Sequence, residues 1–139
     1  MGAAEGQGGL ENFVVFLDEN HCHNPHLVKT LTEAGVAFEL HQNHFSAGTP
    51  DTDWLPVVGR KRWCLLTADA RIRYNELERS AVLENGLRMF YFSRNNLAGV
   101  EMAKALEKAL PRMQKLFAET QPPFAASITK SGEVNPRHL

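Results

Sequence analysis

Residues 13–20 have the sequence FVVFLDEN, and this stretch predicts how the fold begins. The apolar run at residues 13–17 is rich in β-forming side chains and is typical of a strand buried on both faces of a sheet. The acids Asp18 and Glu19 and the amide Asn20 follow this run directly. We therefore expect a central strand that ends in polar side chains.

Strands and helices alternate along the rest of the chain. Asn24 and Pro25 suit the start of a helix, and Gly35 suits its end. We then predict strands at 36–40, 63–67, 88–92 and 124–129, with a returning segment after the turn at residues 131–132. Between them we predict a helix from residues 49–51 that Pro56 keeps short or irregular, and a helix from Asn75 to Gly86 with Leu77 on its apolar face. The longest helix is predicted at 96–119, with Val100 in its apolar stripe and a kink or split at Pro111. This alternation predicts a three-layer α/β/α fold with a mainly parallel central sheet.

The composition is that of an ordinary globular domain. With 139 residues, 43% of them hydrophobic and 22% charged, the chain can bury a normal core without disulfides or structural metal. The net charge of -1 excludes a global basic field for nucleic acid, so any such contact must come from local patches. We expect residues 1–12 to be a disordered leader and residues 13–139 to form one domain.

The sequence also predicts a cytoplasmic location. No apolar run approaches the length of a membrane span, and the N-terminus lacks the basic and apolar regions of a signal peptide. Cys64 lies in an apolar run and is expected to be a reduced core residue, which fits that location.

Four acids are placed where a site is expected. The carboxyl ends of parallel strands meet at one edge of a sheet, and sites in such folds form there. Asp18 and Asp69 each follow a predicted strand, while Asp51 and Glu78 lie in the first turns of two predicted helices. Clustered carboxylates repel unless a cation or proton intervenes, and Mg²⁺ prefers oxygen ligands. The pattern therefore predicts a divalent cation site at this edge.

The helical acids also have a structural interpretation. Asp51 and Asp53 can complement the dipole of their helix, and Glu78, three residues after Asn75, can cap its helix. Asp18 and Asp69 each follow a predicted strand and have no capping role of this kind. Function is therefore the favoured interpretation for those two acids.

Histidines and basic residues supply three weaker signals. His21, Cys22, His23 and His26 are zinc-ligand types, but their spacing matches no standard zinc pattern, so a polar loop is favoured. One of these histidines can still carry a proton or contact substrate. Arg71 and Arg73, which follow Asp69, can bind phosphates or balance the charge of the acidic cluster. Residues 60–62, with the sequence RKR, indicate a solvated turn.

The chain contains four segments in this order: FLDEN at 16–20, TPDTDWL at 49–55, WCLLTADARIR at 63–73 and NELER at 75–79. In order and spacing they resemble the PIN-like domains related to VapC-type toxin ribonucleases. The resemblance covers residues 13–93, and the late strand near Ile128 also fits it. It implies a PIN-type sheet and a divalent-metal-dependent ribonuclease site.

The resemblance assigns roles to individual residues. It implies Mg²⁺ or Mn²⁺ as cofactor, RNA as substrate, an antitoxin protein as partner and a homodimer as assembly. The matching metal-holding and catalytic positions are Asp18, Asp51, Asp69 and Glu78. The matching substrate-contacting positions are Asn20, Arg71 and Arg73. The second acid comes later than in well-studied PIN nucleases, and the fourth is Glu instead of Asp. The number of metal ions that the site binds, one or two, therefore stays open.

The leading hypothesis is a metal-dependent endoribonuclease, with the toxin of a toxin–antitoxin pair as its setting. One alternative is a non-catalytic PIN-like module that binds a partner through the helix at 96–119. Another is a receiver-like signalling domain, with Asp18 and Glu19 after strand one, Asp69 after strand three, and Ser93 and Lys130 after later strands. The long loop before the helix at residue 51 does not suit a receiver's phosphorylation site.

Overall fold

A computed structural model describes residues 12–21, 23–68, 76–94 and 96–137 of the chain. Its strands are β1 (Val14–Leu17), β2 (Ala37–Leu40), β3 (Cys64–Thr67), β4 (Arg88–Phe92), β5 (Phe124–Ile128) and β6 (Val134–Arg137). Its helices are α1 (Pro25–Glu33), α2 (Asp51–Lys61), α3 (Glu76–Glu84) and α4 (Gly99–Glu119).

The six strands form one sheet in the order β2-β1-β3-β4-β5-β6. β1 to β5 are parallel to their neighbours, and β6 pairs antiparallel with β5. The chain first moves outward from β1 to β2 and then crosses back to β3, so the direction of strand addition reverses between β1 and β3. In open α/β sheets, ligands bind in the crevice outside the carboxyl ends of the strands at such a reversal.

Helices cover both faces of the sheet, which confirms the predicted three-layer architecture. Successive side chains of a strand point to opposite faces, so each inner strand must be apolar on both sides. Val15 and Leu66 belong to the core on the side of α1 and α4, which pack against each other. Phe16 and Leu65 belong to the core on the side of α2 and α3, which are also in contact.

The predicted boundaries of α1 are confirmed by its capping geometry. The Asn24 side chain accepts hydrogen bonds from the backbone N–H groups of His26 (2.9 Å) and Leu27 (3.4 Å). Pro25 occupies the first helical position, where no N–H is needed. Gly35 follows the helix with φ of +70°, a conformation that glycine adopts without a Cβ clash.

Neither of the two prolines that were expected to disturb a helix divides that helix in two. α2 is a single helix of 11 residues that contains Pro56, and α4 is a single helix of 21 residues that contains Pro111. An internal proline costs about 3 kcal/mol because it removes one helical hydrogen bond and crowds the preceding turn. Burial of Val58 in α2, and of Leu110 and Met113 in α4, holds the helix against the core on either side of that defect.

Two apolar side chains that were expected to face the core are exposed. Leu77 is 73% exposed and Val100 is 46% exposed. Each is the second residue of its helix and lies at the carboxyl edge of the sheet, where the helix begins beyond the end of the preceding strand. Across the ranges that the structure describes, no helix is both long and apolar enough to cross a membrane.

Candidate functional site

Asp18 directly follows β1, at the reversal between β1 and β3. Its side chain is buried, with 5% of the residue exposed, and its Oδ2 accepts a hydrogen bond of 2.5 Å from Thr67 Oγ1 at the end of β3. A buried carboxylate is costly unless it is hydrogen-bonded or paired with a cation. The short distance is typical of a charge-assisted O–H···O⁻ bond, which stabilises Asp18 in this position.

A row of buried polar side chains starts at Asp18 and crosses the sheet. The strand register sets Thr67 beside Tyr91, and Tyr91 beside Ser127. All four residues are buried. Ser127 Oγ has no hydrogen-bond partner among the described residues. Residues at one level of neighbouring parallel strands share a face, so the row leads from Asp18 toward β5 on the side of α2 and α3.

Glu19 fixes the loop that precedes α2 onto the end of β1. Its Oε1 and Oε2 accept hydrogen bonds from the Gly48 backbone N–H at 3.2 and 3.0 Å. Gly48 has φ of +81°, in the left-handed region that glycine adopts most easily. This attachment holds the start of α2, and with it Asp51, at the carboxyl edge of the sheet.

Asp51 is the first residue of α2 and is half-buried. Its Oδ1 accepts a hydrogen bond of 3.0 Å from Trp54 Nε1. The Trp54 ring is buried, 5.5 Å from the Phe16 ring between centroids. Asp51 therefore orients a core tryptophan. A carboxylate has two oxygens and about four lone-pair sites, so this bond does not exclude a second role in binding a cation.

His41 is a residue of this edge that sequence reasoning missed. It opens the 3₁₀ turn His41–Asn43, directly after β2, and only 1% of it is exposed. Its ring lies among those of Phe16, Phe45 and Trp54, at centroid distances of 6.3, 5.2 and 5.6 Å. Nε2 has no hydrogen-bond partner within the described part of the chain.

The surroundings of His41 favour its neutral form. Burial lowers the pKa of His41 below its ordinary value, while the negative charges of Glu19 and Asp51 act in the opposite direction. Because the burial effect is the larger, the neutral imidazole is favoured although two carboxylates oppose it. The position directly after a predicted strand, which selected Asp18, was the available signal for His41 as well.

The remaining predicted positions are only partly described. Asn20 is exposed in the turn after β1, and Glu78 belongs to α3, with its side chain outside the described part. Asp69, Arg71 and Arg73 lie outside the described residues. The predicted convergence of four acids therefore stays a prediction.

No metal-binding group was found in the described part of the chain: no three His, Cys, Asp or Glu side chains there are placed to hold an ion together. In the loop considered for zinc, His23 and His26 are exposed and Cys22 lies outside the described residues. The donors at the strand reversal are nevertheless of the right kind for a hard divalent cation, because Asp18 and Asp51 both offer carboxylate oxygens. In the predicted set, the further ligands are Asp69 and Glu78.

A parallel sheet whose strand order reverses beside a buried acid defines a doubly wound α/β domain with its candidate site at the carboxyl edge. The family model described as PIN like domain matches residues 13–94, more than half of the chain and the part that carries β1 to β4. The chain therefore belongs to the PIN like domain family. No curated protein and no solved structure matched it.

Proposed function

We propose that this PIN-like domain is an Mg²⁺- or Mn²⁺-dependent endoribonuclease. The observation that carries the proposal is the buried Asp18 carboxylate, held by the Thr67 hydroxyl at the strand reversal. A buried acid at that position favours a ligand site over a surface charge. The family to which the chain belongs has a nuclease-type fold, which supports the same conclusion.

The acids have distinct roles in this proposal. Asp18 and Asp69 hold the first cation, and Asp51 and Glu78 complete the site, hold a second cation or orient the attacking water. The bound cation supplies Lewis-acid chemistry, which activates water and stabilises charge on the phosphate under attack.

The described residues contribute to this site by positioning. Thr67 orients the Asp18 carboxylate, Trp54 orients Asp51, and Glu19 holds the loop that carries Asp51 to the edge. Beyond the described residues, Arg71 and Arg73 neutralise phosphate charge in this proposal. Asn20, exposed beside Asp18, contacts the RNA.

The test combines calorimetric Mn²⁺ titration with RNA cleavage. We expect the wild type to bind Mn²⁺ and cut RNA, and Asp18→Asn and Asp69→Asn to lose both while they unfold at nearly the wild-type temperature. Asp53→Asn is the matched control, because Asp53 is an exposed acid of the same helix turn as Asp51. Normal cleavage by both variants contradicts the assignment. Absence of Mn²⁺ binding by the wild type favours a non-catalytic module and a search for its protein partner.

The narrower proposal is that the chain is the toxin of a toxin–antitoxin pair. Induced expression of the wild type is then expected to arrest growth of a bacterial host, whereas expression of Asp18→Asn is not. Growth arrest by both forms would separate toxicity from cleavage and contradict this setting.

The receiver-like alternative is less well supported by the geometry. A receiver needs the two acids after β1 to serve its phosphorylation site together. Here both oxygens of Glu19 accept hydrogen bonds from the Gly48 backbone, which commits that carboxylate to the loop. Acetyl phosphate labelling of Asp69 is the measurement that discriminates, and stable labelling would favour the receiver.

A further inference from the structure

An open cavity of about 520 Å³ lies beyond the carboxyl ends of β4 and β5. Its lining residues are Ser93, Arg94, Thr129, Lys130 and Ser131. They carry three hydroxyl groups and two cationic groups, and none of the five side chains is acidic. All except the half-buried Thr129 are exposed, so an extended ligand can enter from solvent.

The cavity lies at the same edge of the sheet as Asp18, and two of its hydroxyl residues continue the face that carries the polar row. Its Lys130 contacts Glu101 of α4, the helix that covers the opposite face. The Ser93 backbone N–H donates to the last carbonyl of β5 at 2.9 Å, so the parallel pairing continues past β4. The two-residue period of strands then places Ser93 and Thr129 on the face that carries Tyr91 and Ser127. These last two residues belong to the polar row that begins at Asp18.

The distance along the edge between Asp18 and the cavity suits two neighbouring subsites for one ligand. One strand, β3, lies between β1 and β4, and β5 follows β4. Adjacent strands are about 4.8 Å apart, so the cavity begins about 10 Å from the Asp18 strand. The ligand that links the two places must therefore be longer than a single phosphate group.

Glu101 holds one of the two cations at the cavity. Its Oε2 lies 3.2 Å from Lys130 Nζ, and its Oε1 accepts a hydrogen bond of 2.9 Å from the Ala98 backbone N–H at the start of α4. The Ala98 bond, then Lys130, and last Arg94, hold the pKa of Glu101 below its ordinary value. Lys130 therefore contacts the carboxylate directly and Arg94 acts on it only through its charge. With one acid for two cations, the group keeps a net positive charge.

We propose that this cavity binds a backbone phosphate of single-stranded RNA, flanking the phosphate cut beside Asp18. The inference rests on the proposed ribonuclease function and specifies how its substrate is held. Arginine, lysine and hydroxyl side chains are the groups with which proteins bind phosphate oxygens. The volume falls within the range of roughly 300–1,000 Å³ that is usual for sites of small organic ligands.

The two ends of the edge differ in charge. Asp18, Glu19 and Asp51 form its acidic end, which attracts phosphate only through a cation. Arg94 and Lys130 form its basic end, which attracts phosphate directly. Because the chain has a net charge of only -1, binding must depend on local charges of this kind.

The first measurement is fluorescence anisotropy with a labelled single-stranded RNA of mixed sequence, in EDTA and in the Asp18→Asn background so that no cutting occurs. Adding Arg94→Gln and Lys130→Gln is expected to raise Kd about tenfold for each cationic side chain replaced. The slope of log Kd against log salt should fall by about 0.7 for each phosphate no longer neutralised. Thermal unfolding reports whether the fold is retained.

The matched control is Arg60→Gln with Lys61→Gln. This pair removes the same two charge types from exposed positions in the last turn of α2, which leads into the opposite end of β3. Its RNA affinity should equal that of the Asp18→Asn parent. An equal decrease in affinity for the two pairs would mean that binding depends on total charge, and would overturn the assignment of the cavity.

Further measurements distinguish RNA from free phosphate as the ligand, and distinguish failure of the cavity assignment from failure of the ribonuclease proposal. Inorganic phosphate that binds at the cavity, with RNA affinity unaffected by the paired substitutions, overturns the RNA assignment. The RNA assignment is also overturned if labelling of the chain by acetyl phosphate depends on Lys130 whereas RNA affinity does not depend on Lys130. If the wild type binds no Mn²⁺ but RNA binding still depends on Arg94 and Lys130, the ribonuclease proposal fails and the cavity assignment stands.

Discussion

Thr67 Oγ1 donates a hydrogen bond of 2.5 Å to Asp18 Oδ2, joining residues 49 positions apart in the sequence. The bond links the ends of β1 and β3, where the strand order reverses. It satisfies one oxygen of a carboxylate that the fold removes from water. A hydroxyl donor at this point orients the acid without neutralising its charge, so the carboxylate remains suited to a cation.

Replacing Thr67 tests this relationship. Thr67→Val keeps the side-chain shape but removes the donor, and we expect it to lower the free energy of unfolding by about 1–3 kcal/mol. Thr67→Ser keeps the donor and removes one buried methyl group, worth about 0.8 kcal/mol. Urea unfolding compares the two, and Mn²⁺ titration should show weaker binding only for the valine variant. The reverse order of stability would contradict the role given to the hydroxyl.

Asp51 offers a test that separates its two roles. Asp51→Asn keeps an oxygen acceptor for the Trp54 indole, so we expect the free energy of unfolding to change by about 0.5 kcal/mol or less. The same variant removes a charge from the proposed cation site and should lower Mn²⁺ affinity. Asp51→Ala, which removes the acceptor, should cost about 1–2 kcal/mol and alter the tryptophan fluorescence. If Asp51→Asn binds Mn²⁺ as tightly as wild type, Asp51 only orients Trp54.

His41 predicts a pH-dependent stability of known sign. Its native pKa lies below the ordinary value of 6.5, so between these two values the unfolded chain binds a proton that the folded chain does not. The stability that the folded chain gains from a neutral His41 is therefore fully present above pH 6.5. It is lost as the pH falls toward the native pKa.

The measurement for His41 is urea unfolding at pH 7.5 and 5.5. His41→Phe keeps an aromatic ring among Phe16, Phe45 and Trp54, and should gain stability relative to wild type as the pH is lowered. His26→Gln changes an exposed histidine and serves as the control. An equal pH dependence in wild type and His41→Phe would show that His41 does not resist protonation.

Cys64 should be unreactive in the native state. It is buried and free of any disulfide, and burial raises the pKa of its thiol to about 12. The thiolate is the reactive form, and about one part in ten thousand is ionised at pH 8 for such a pKa. In a Cys22→Ser background, iodoacetamide should label Cys64 only after unfolding. Labelling of the native protein at the unfolded rate would contradict this burial.

Local features explain why most elements could be predicted. The strand predicted at 36–40 is observed as Ala37–Leu40, and the one predicted at 88–92 is Arg88–Phe92. Caps such as Asn24 and turn glycines such as Gly35 act through their own backbone neighbours, so their effect is visible in sequence. The split considered at Pro111 is not observed, because tertiary packing, which holds α4 together around that residue, is not local.

The candidate site could be predicted only in part. Asp18 was selected because it ends a strand, and the structure places it at the strand reversal. His41 was missed because its burial depends on rings contributed by β1, the loop after β2 and α2. Ser93 and Lys130 were recognised as residues that follow later strands, but the cavity that they line with Arg94 was not predicted, since it forms only when β4 and β5 lie side by side.

The sequence by itself therefore determined the alternation of strands and helices, the parallel sheet and the acid at the end of β1, because hydrophobic period and capping act over a few residues. Only the tertiary structure decided the strand order, the Asp18–Thr67 bond, the buried neutral His41 and the basic end of the edge. Each of these depends on which distant segments become neighbours. That choice is made by packing of the whole core, which no short stretch of sequence specifies.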